Sequence, residues 1–271
     1  MAQSASWHAE CKWCTREREP DVSTPHPSMS EPRFLDAGDC GLTVELGDTI
    51  DPIISDQVVA LNRSLHKRSL VGVIETVPTY RSLLVIFDPS RIRKGELKEQ
   101  IRAMWPPPSS TTQAQRLWRV PVAYGGEHGI DLEAVAQAHG ITSDEVVRLH
   151  SGCTYRVYMI GFAPGFAYLG GLPEILHTSR RTDPRSRTPP SSVSIGGMQT
   201  AVSPPLEVPS GWHLIGRTPI RSYDPLRSAN PFLFEAGNWI RFTPISHAEF
   251  DALSLNAAEG QDLIRPEITH A

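Results

Sequence analysis

The chain has 271 residues, with 30 acidic against 26 basic side chains and a formal net charge of −4. That length allows one large or two modest domains with their own cores, and the near balance of charge excludes a whole-chain electrostatic footprint for nucleic acid. No apolar run approaches the roughly 20 residues that a membrane helix needs. The four cysteines do not make a disulfide framework, and the N-terminus lacks the basic-then-apolar order of a secretory signal. The expected setting is a reducing cytoplasm, with no nucleic-acid or membrane partner.

Residues 1–30 are polar, spotted with proline and without sustained periodicity, and they are expected to be a disordered extension. Met29 directly precedes the first patterned segment and is a candidate natural start. Cys11 and Cys14 resemble half of a zinc or redox site, but no second ligand pair lies nearby, so no metal site is expected. From Phe34 the pattern sharpens. "LTVELG" alternates as a strand does, and "DPIISDQVVALNRSLHKR" places Ile54, Val58, Leu61 and Leu65 at helical spacing, with Asp51 as cap and Pro52 in the first turn. "VGVIETVP" and "SLLVIFD" read as a hairpin, and a second helix carries Leu97, Ile101 and Met104. The order strand, helix, strand, strand, helix predicts a small α+β sandwich over 31–105. The stretch 106–115, "PPPSSTTQAQ", reads as a linker.

The second region opens with the strand "LWRVPVAYGG" and a helical pair. "DLEAVAQAHG" has an apolar face through Leu132, Val135 and Ala136 and ends in glycine, and "TSDEVVRLHSG" starts with a capping box from Thr142 to Glu145. Beyond Gly152 come short β-type runs cut by glycine and proline: "YRVYMIGF", "SSVSIGG", "TAVSP", "WHLIGRTP" and "NWIRFTPI". These predict a closed or sandwiched β structure. A tail with the helix-like "HAEFDALSL" follows from residue 246.

No Walker A loop, G-x-S-x-G elbow or H-E-x-x-H motif is present, which argues against a self-contained hydrolase or kinase of standard type and for a site shared with a partner. Candidate residues cluster between His150 and Arg217. His150 ends a helix, where the negative terminus would favour its protonated form; it suits acid–base or anion-holding work, or is a surface cap. Tyr155 and Tyr158, three apart on a strand, point to opposite faces, one to the core and the other toward a cleft. Arg180, Arg181, Arg185 and Arg187 stand in a loop with Asp183, beside the glycine-rich "GFAPGFAYLGG". Guanidinium forks there would hold a carboxylate or phosphate, or the run is merely solvated. Gln199, Arg217 and Thr218 lie beside strand-breaking glycines, which mark either site-directed bulges or barrel corners.

"LHSGCTYRVYMIGFAPGFAYLGGLP", "RRTDPRSRTPPSSVSIGGMQT" and "PSGWHLIGRTPIRSYDP" resemble the KipI-type family, which comprises the B subunits of 5-oxoprolinase and is also called allophanate hydrolase subunit 1. The likeness runs back through "VPVAYGGEHGIDLEAVA" and "VPTYRSLLVIFDP" and covers roughly 33–245. It implies a small α/β-sandwich N-terminal domain followed by a cyclophilin-like β-barrel over 116–245. It also implies partners: an allophanate hydrolase subunit 2-like protein (KipA, the C-type component of 5-oxoprolinase) and a LamB/YcsF-like A-type component. Together these would open 5-oxoproline to glutamate with ATP, shared among the components, as the only cofactor and none tightly bound. Ring opening of this kind is expected to run through an acyl phosphate whose charge the site must counter. On this reading His150, Arg217 and Gln199 are catalytic, while Tyr158, Arg180, Arg181, Arg185 and Thr218 hold the substrate or its anionic groups. The alternatives carried by the same family are a KipI-like inhibitor of a sensor histidine kinase and a carboxyltransferase subunit of a biotin-dependent urea or allophanate enzyme. The sequence departs from the family pattern in "PPSSVSIGG", at Ala201 and Ser203, and at Val208 and Ser210, where added Cβ atoms would narrow a cleft or resist positive φ.

Overall fold

A computed structural model describes residues 31–107, 115–227 and 230–269. The extension with Cys11, Cys14 and Met29, and most of the expected linker, lie outside the described residues. The first body is a four-stranded antiparallel sheet in the order β1-β2-β4-β3, built from β1 (Arg33–Asp36), β2 (Gly41–Glu45), β3 (Val73–Pro78) and β4 (Ser82–Phe87). Leu42 and Val44 of β2 meet Leu83, Val85 and Phe87 of β4 on one face, where alternation puts every second side chain. Helices α1 (Pro52–Arg68) and α2 (Lys94–Arg102) cover that face with Ile54, Val58, Leu61 and Leu65 and with Leu97 and Ile101. Asp51 caps α1 by accepting from the Ile53 amide at 2.7 Å, and the helix stops at Ser69 in the left-handed region (φ 46°). The sequence reading placed every element of this body except β1.

The second body is a closed seven-stranded barrel. Its strands are β5 (Gln115–Tyr124), β6 (Thr154–Ile160), β7 (Ala167–Gly170), β9 (Ser192–Gly196), β10 (Gln199–Val202), β12 (His213–Arg217) and β13 (Trp239–Ile245). They run β12-β9-β10-β7-β6-β13-β5, and β12 pairs with β5 at Gly216↔Tyr124 to close the ring. Helices α3 (Leu132–His139) and α4 (Ser143–Ser151) pack across one side, adding Leu132, Val135, Ala136 and Val146 to a core with Val120, Tyr155, Leu169, Ile195 and Phe242. The capping box expected at α4 is half made. Thr142 Oγ1 accepts from the Glu145 amide (3.1 Å), but the Glu145 carboxylate turns outward to Arg148 (2.6 and 2.7 Å).

Two short strands outside the ring, β8 (Arg185–Thr188) and β11 (Val208–Ser210), pair as an antiparallel ribbon. The arginine run is therefore loop only as far as Pro184. The segment expected as a tail is built onto the barrel: α5 (His247–Ala258) packs against it, and β14 (Glu267–Thr269) pairs with the edge of β5.

The two bodies meet along α1, β6 and β13. Arg156, 4% exposed, donates to Asp56 (2.7 Å) and to Ser55 Oγ (3.2 Å) on α1, and its guanidinium lies over the Trp239 ring (5.6 Å). Tyr158 stacks on Tyr80 of the first body, with ring centroids 4.6 Å apart. A buried cation that keeps both its hydrogen bonds and its aromatic faces ties the bodies together through well-satisfied contacts.

Candidate functional site

The stretch "GFAPGFAYLGG" turns sharply between β6 and β7. Gly165 (φ +80°) is pressed on Tyr223, so closely that a Cβ there would come within 2.6 Å of the tyrosine Cβ. Phe162 also sits in the left-handed region (φ 69°), a costly conformation for a bulky residue, and it stands 64% exposed. Behind it an aromatic floor assembles on the outer wall of the barrel. Phe166 meets Phe162 (5.6 Å), Tyr168 (4.8 Å) and Trp212 (6.3 Å), with Ala201 packed into the same cluster. Trp212 lies flat on β9 where Gly196 leaves room; a Cβ at Gly196 would fall 2.6 Å from the indole.

The arginine loop crosses this floor. Arg180 lays its guanidinium over the Trp212 ring at 5.5 Å, and the Arg181 amide donates to the Gly211 carbonyl at 2.7 Å. Between loop and floor runs a cleft of about 250 Å³ walled by Phe162, Tyr168, Arg180, Arg181, Ser210 and Trp212. On the other side of the same two arginines a concavity of about 360 Å³ is lined by Thr178, Ser179, Thr182, Asp183 and His213. The aromatic and the arginine halves of residues 161–190 thus build one groove, with two guanidinium groups between an apolar wall and a polar one. Such a wall pair suits a small ring that carries an anionic group.

Arg185 does not join it. Its fork is closed on Asp131, with both Nη atoms at 2.8 Å from the two carboxylate oxygens. Asp131, only 5% exposed, also accepts from the Leu214 amide (2.8 Å) and faces Arg181 at 3.5 Å. Burial alone would raise its pKa, but the Arg185 bonds, the Leu214 amide and the two arginine charges outweigh it and hold the carboxyl below its ordinary range. Asp131 heads α3, so it anchors the arginine loop, β12 and a helix at one point. Sequence reading passed over this residue.

The other candidates are dispersed. His150 is fully buried among Tyr124, Tyr155 and Phe242, and desolvation pushes its pKa down to about 3. The expectation of a protonated helix-end histidine is therefore corrected: no water reaches this ring, and the charged form is disfavoured. Thr200 Oγ1 donates to the Ser194 carbonyl (2.9 Å), so it receives the His150 Nε2 proton (2.9 Å), and Nδ1 accepts from the Tyr124 hydroxyl (2.8 Å). Tyr158 faces the first body, away from the groove. Thr218, 1% exposed, accepts from the Ile220 amide (3.2 Å), and its own amide donates to the Ser191 carbonyl (3.0 Å). Arg217 stands at the far end of β12 from Trp212, donating to the Pro190 carbonyl (3.1 Å) and lying over Phe250 (5.3 Å). Gln199 is half-buried at the start of β10, on the outward alternation it shares with Ala201. Of the site residues predicted from the sequence, Arg180 and Arg181 line the groove, while His150 and Thr218 are barrel structure.

The departures from the family pattern are accommodated in place. Ser191 takes φ 56° with its amide bonded to the Pro204 carbonyl, and Ser203 Oγ accepts from the Ser192 amide at 2.7 Å. No helix among the described residues is long and apolar enough to cross a membrane.

Comparison with known proteins agrees with this architecture. Three proteins named as the B subunit of 5-oxoprolinase are similar along most of their length. That of Escherichia coli O157:H7 is 41% identical over 80% of this chain and 97% of its own. That of Bacillus subtilis is 33% identical over 79% and 93%, and that of Haemophilus influenzae 42% over 69% and 85%. The crystallised protein TTHA0988 superposes with a TM-score of 0.69 at 32% identity, over 76% of this chain and 40% of that longer one. The Kluyveromyces lactis urea carboxylase, at 19% identity and a TM-score of 0.73 over 90% of this chain and 25% of its own, shares the fold. The family model of the carboxyltransferase domain, subdomain C and D, matches residues 32–234, which takes in the first body, the barrel short of β13, the aromatic turn and the arginine loop, and the chain belongs to that family.

Proposed function

We propose that the chain is the B-type subunit of an ATP-dependent 5-oxoprolinase, which opens the five-membered amide of 5-oxoproline to glutamate. The observation that carries this reading is the extent of the likeness: nearly the full length of the E. coli and B. subtilis proteins of that name is matched, at 41% and 33% identity. In that role the chain acts with a carboxyltransferase-like partner related to allophanate hydrolase subunit 2 and with a LamB/YcsF-like protein. The fact that this chain spans 40% of TTHA0988 supports a module that works beside another.

The groove fits the substrate class. 5-Oxoproline is a small ring bearing one carboxylate; Arg180 and Arg181 receive the carboxylate, and Phe162 and Tyr168 flank the ring. Arg180, Arg181 and Thr182 around the polar concavity, with Asp183 the one carboxylate among them, are donors that suit phosphate oxygens and would hold the phosphates of ATP as a shared co-substrate. ATP supplies the driving force for opening a stable amide. This chain's contribution is to bind, orient and hold charge. Asp131 holds Arg185, and more loosely Arg181, from beneath, which fixes the arginine loop before a ligand arrives.

The test is 5-oxoproline-dependent ATP hydrolysis by the chain co-purified with its two partners, each omitted in turn. Glutamate and ADP are expected in equal amounts with the full set and from no smaller set. A stable full complex that leaves 5-oxoproline untouched would refute the assignment.

A further inference from the structure

A second titratable cluster lies at the far end of β12 from the groove, and the proposed reaction does not use it. His128 stands in the turn that follows β5, 5% exposed, with its ring edge-on to His247 (centroids 4.6 Å, 88°) and tilted on Phe250 (4.2 Å, 43°), both residues of α5. Neither ring nitrogen of His128 has a hydrogen-bond partner, and both are shielded from solvent. A neutral imidazole tolerates that enclosure at modest cost. An imidazolium would bury a charge and two N–H donors with nothing to receive them.

The charged surroundings come from three elements. Arg217 of β12 and His247 of α5 oppose protonation, while Glu127 of the turn and Asp251 of α5 favour it without bonding to the ring; burial is the largest influence, and the net direction is down. Few other contacts come from α5 itself; the chain beyond it is anchored separately, with Leu263 and Ile264 packed on the barrel core and β14 paired with β5. Within the helix only Phe250 and Ala257 are buried, and Leu255 is exposed. Its N-terminal His247 donates from Nε2 to the Tyr124 carbonyl (3.1 Å). The helix also carries its own capping box, with Ser246 and Glu249 satisfying each other's backbone amides, so it keeps its first turn without the barrel. Arg217 is covered by the Phe250 ring at 5.3 Å.

We propose that α5 is a pH-released clasp: a proton taken up by His128 frees the helix from the end of the barrel and uncovers Arg217. The uncharged His128 ring is the wedge on which Phe250 and His247 seat, and a charged one has no place between them. The sign follows from linkage. The closed state disfavours the proton, so docking is complete above the ordinary histidine pKa of about 6.5 and weakens as pH falls below it.

Hydrogen exchange of the full-length chain reads the clasp directly, with protection of 247–258 corrected for intrinsic rates at pH 7.5 and 5.5. One proton with an open-state pKa of about 6.5 predicts a loss of α5 protection of up to about tenfold across that interval, absent from α1. His128→Phe keeps a ring in the wedge and removes the titration, so protection of α5 is expected to stay level, within about twofold. His247→Asn should leave the dependence in place. If His128→Phe does not fold, His128→Gln replaces it, with the same level profile expected. Protection of wild-type α5 that is flat with pH, or a dependence that survives in the His128 variant, would overturn the proposal.

Discussion

Removing the Asp131 carboxylate tests how the groove is held. Asp131 accepts both arms of Arg185 and the Leu214 amide, so Asp131→Ala leaves a guanidinium and a main-chain N–H without their partner in a largely closed site. Breaking a buried pair costs about 3–5 kcal/mol, but the Arg185 side chain is 23% exposed and recovers part of its hydration. The expected loss is therefore about 2–3 kcal/mol, which for a chain of this size lowers Tm by about 5–10 °C. Arg185→Ala should cost about as much, since it strands the carboxylate, and the double variant should fall well short of the sum, with a coupling of about 2 kcal/mol. Because the Asp131 carboxyl is held below its ordinary value, this contribution is present at neutral pH and is lost as pH falls below about 4. Denaturant titration of the wild type, two single variants and the double variant gives the coupling. A value under about 0.5 kcal/mol would refute the claim that this pair anchors the loop.

Two further outcomes follow from the barrel. His150 is neutral in the folded chain with a pKa near 3, against an ordinary value of 6.5, so stability should fall by about 1.4 kcal/mol per pH unit below about pH 6.5; denaturant midpoints at pH 7, 6 and 5 measure it, and an unchanged midpoint would contradict the buried neutral ring. Ser191→Gly removes a side chain from a left-handed backbone (φ 56°) and should raise stability by about 1 kcal/mol or slightly less, read as a higher denaturation midpoint.

How much of this could be read from the chain depended on range. The first body was legible because Ile54, Val58, Leu61 and Leu65 repeat at helical spacing and "SLLVIF" alternates in register with burial. β8, β11 and β14 are three or four residues long and carry no alternation strong enough to be seen, so their pairing is a tertiary outcome. His150 was misjudged for a specific reason. It was read as a helix-end residue, yet it follows Val146 by four positions and so shares the buried stripe of α4. Asp131 drew no attention in the sequence, since nothing local indicates that Arg185, 54 residues on, would close on it. The groove itself was partly legible, since glycine, proline and aromatics beside an arginine run signalled a close approach of backbone to ligand. Which arginines line the groove could be settled only by seeing that Asp131 closes the fork of Arg185 and reaches Arg181 at 3.5 Å. His128 gave no signal, because an unpartnered buried ring exists only once α5 has packed.

The claim that the arginine groove serves the reaction is tested most directly in the assembled three-component complex carrying Arg180→Ala and Arg181→Ala together. Arg187→Ala serves as the control, since the Arg187 side chain is 81% exposed and faces Glu207 outside the groove. Loss of two charge-assisted carboxylate contacts, each worth about 1.5–3 kcal/mol, predicts a fall of at least about a hundredfold in kcat/KM for 5-oxoproline, with the complex still assembling and the Arg187 variant near wild type. Turnover that persists within about threefold in the double variant would contradict the account and place the substrate elsewhere.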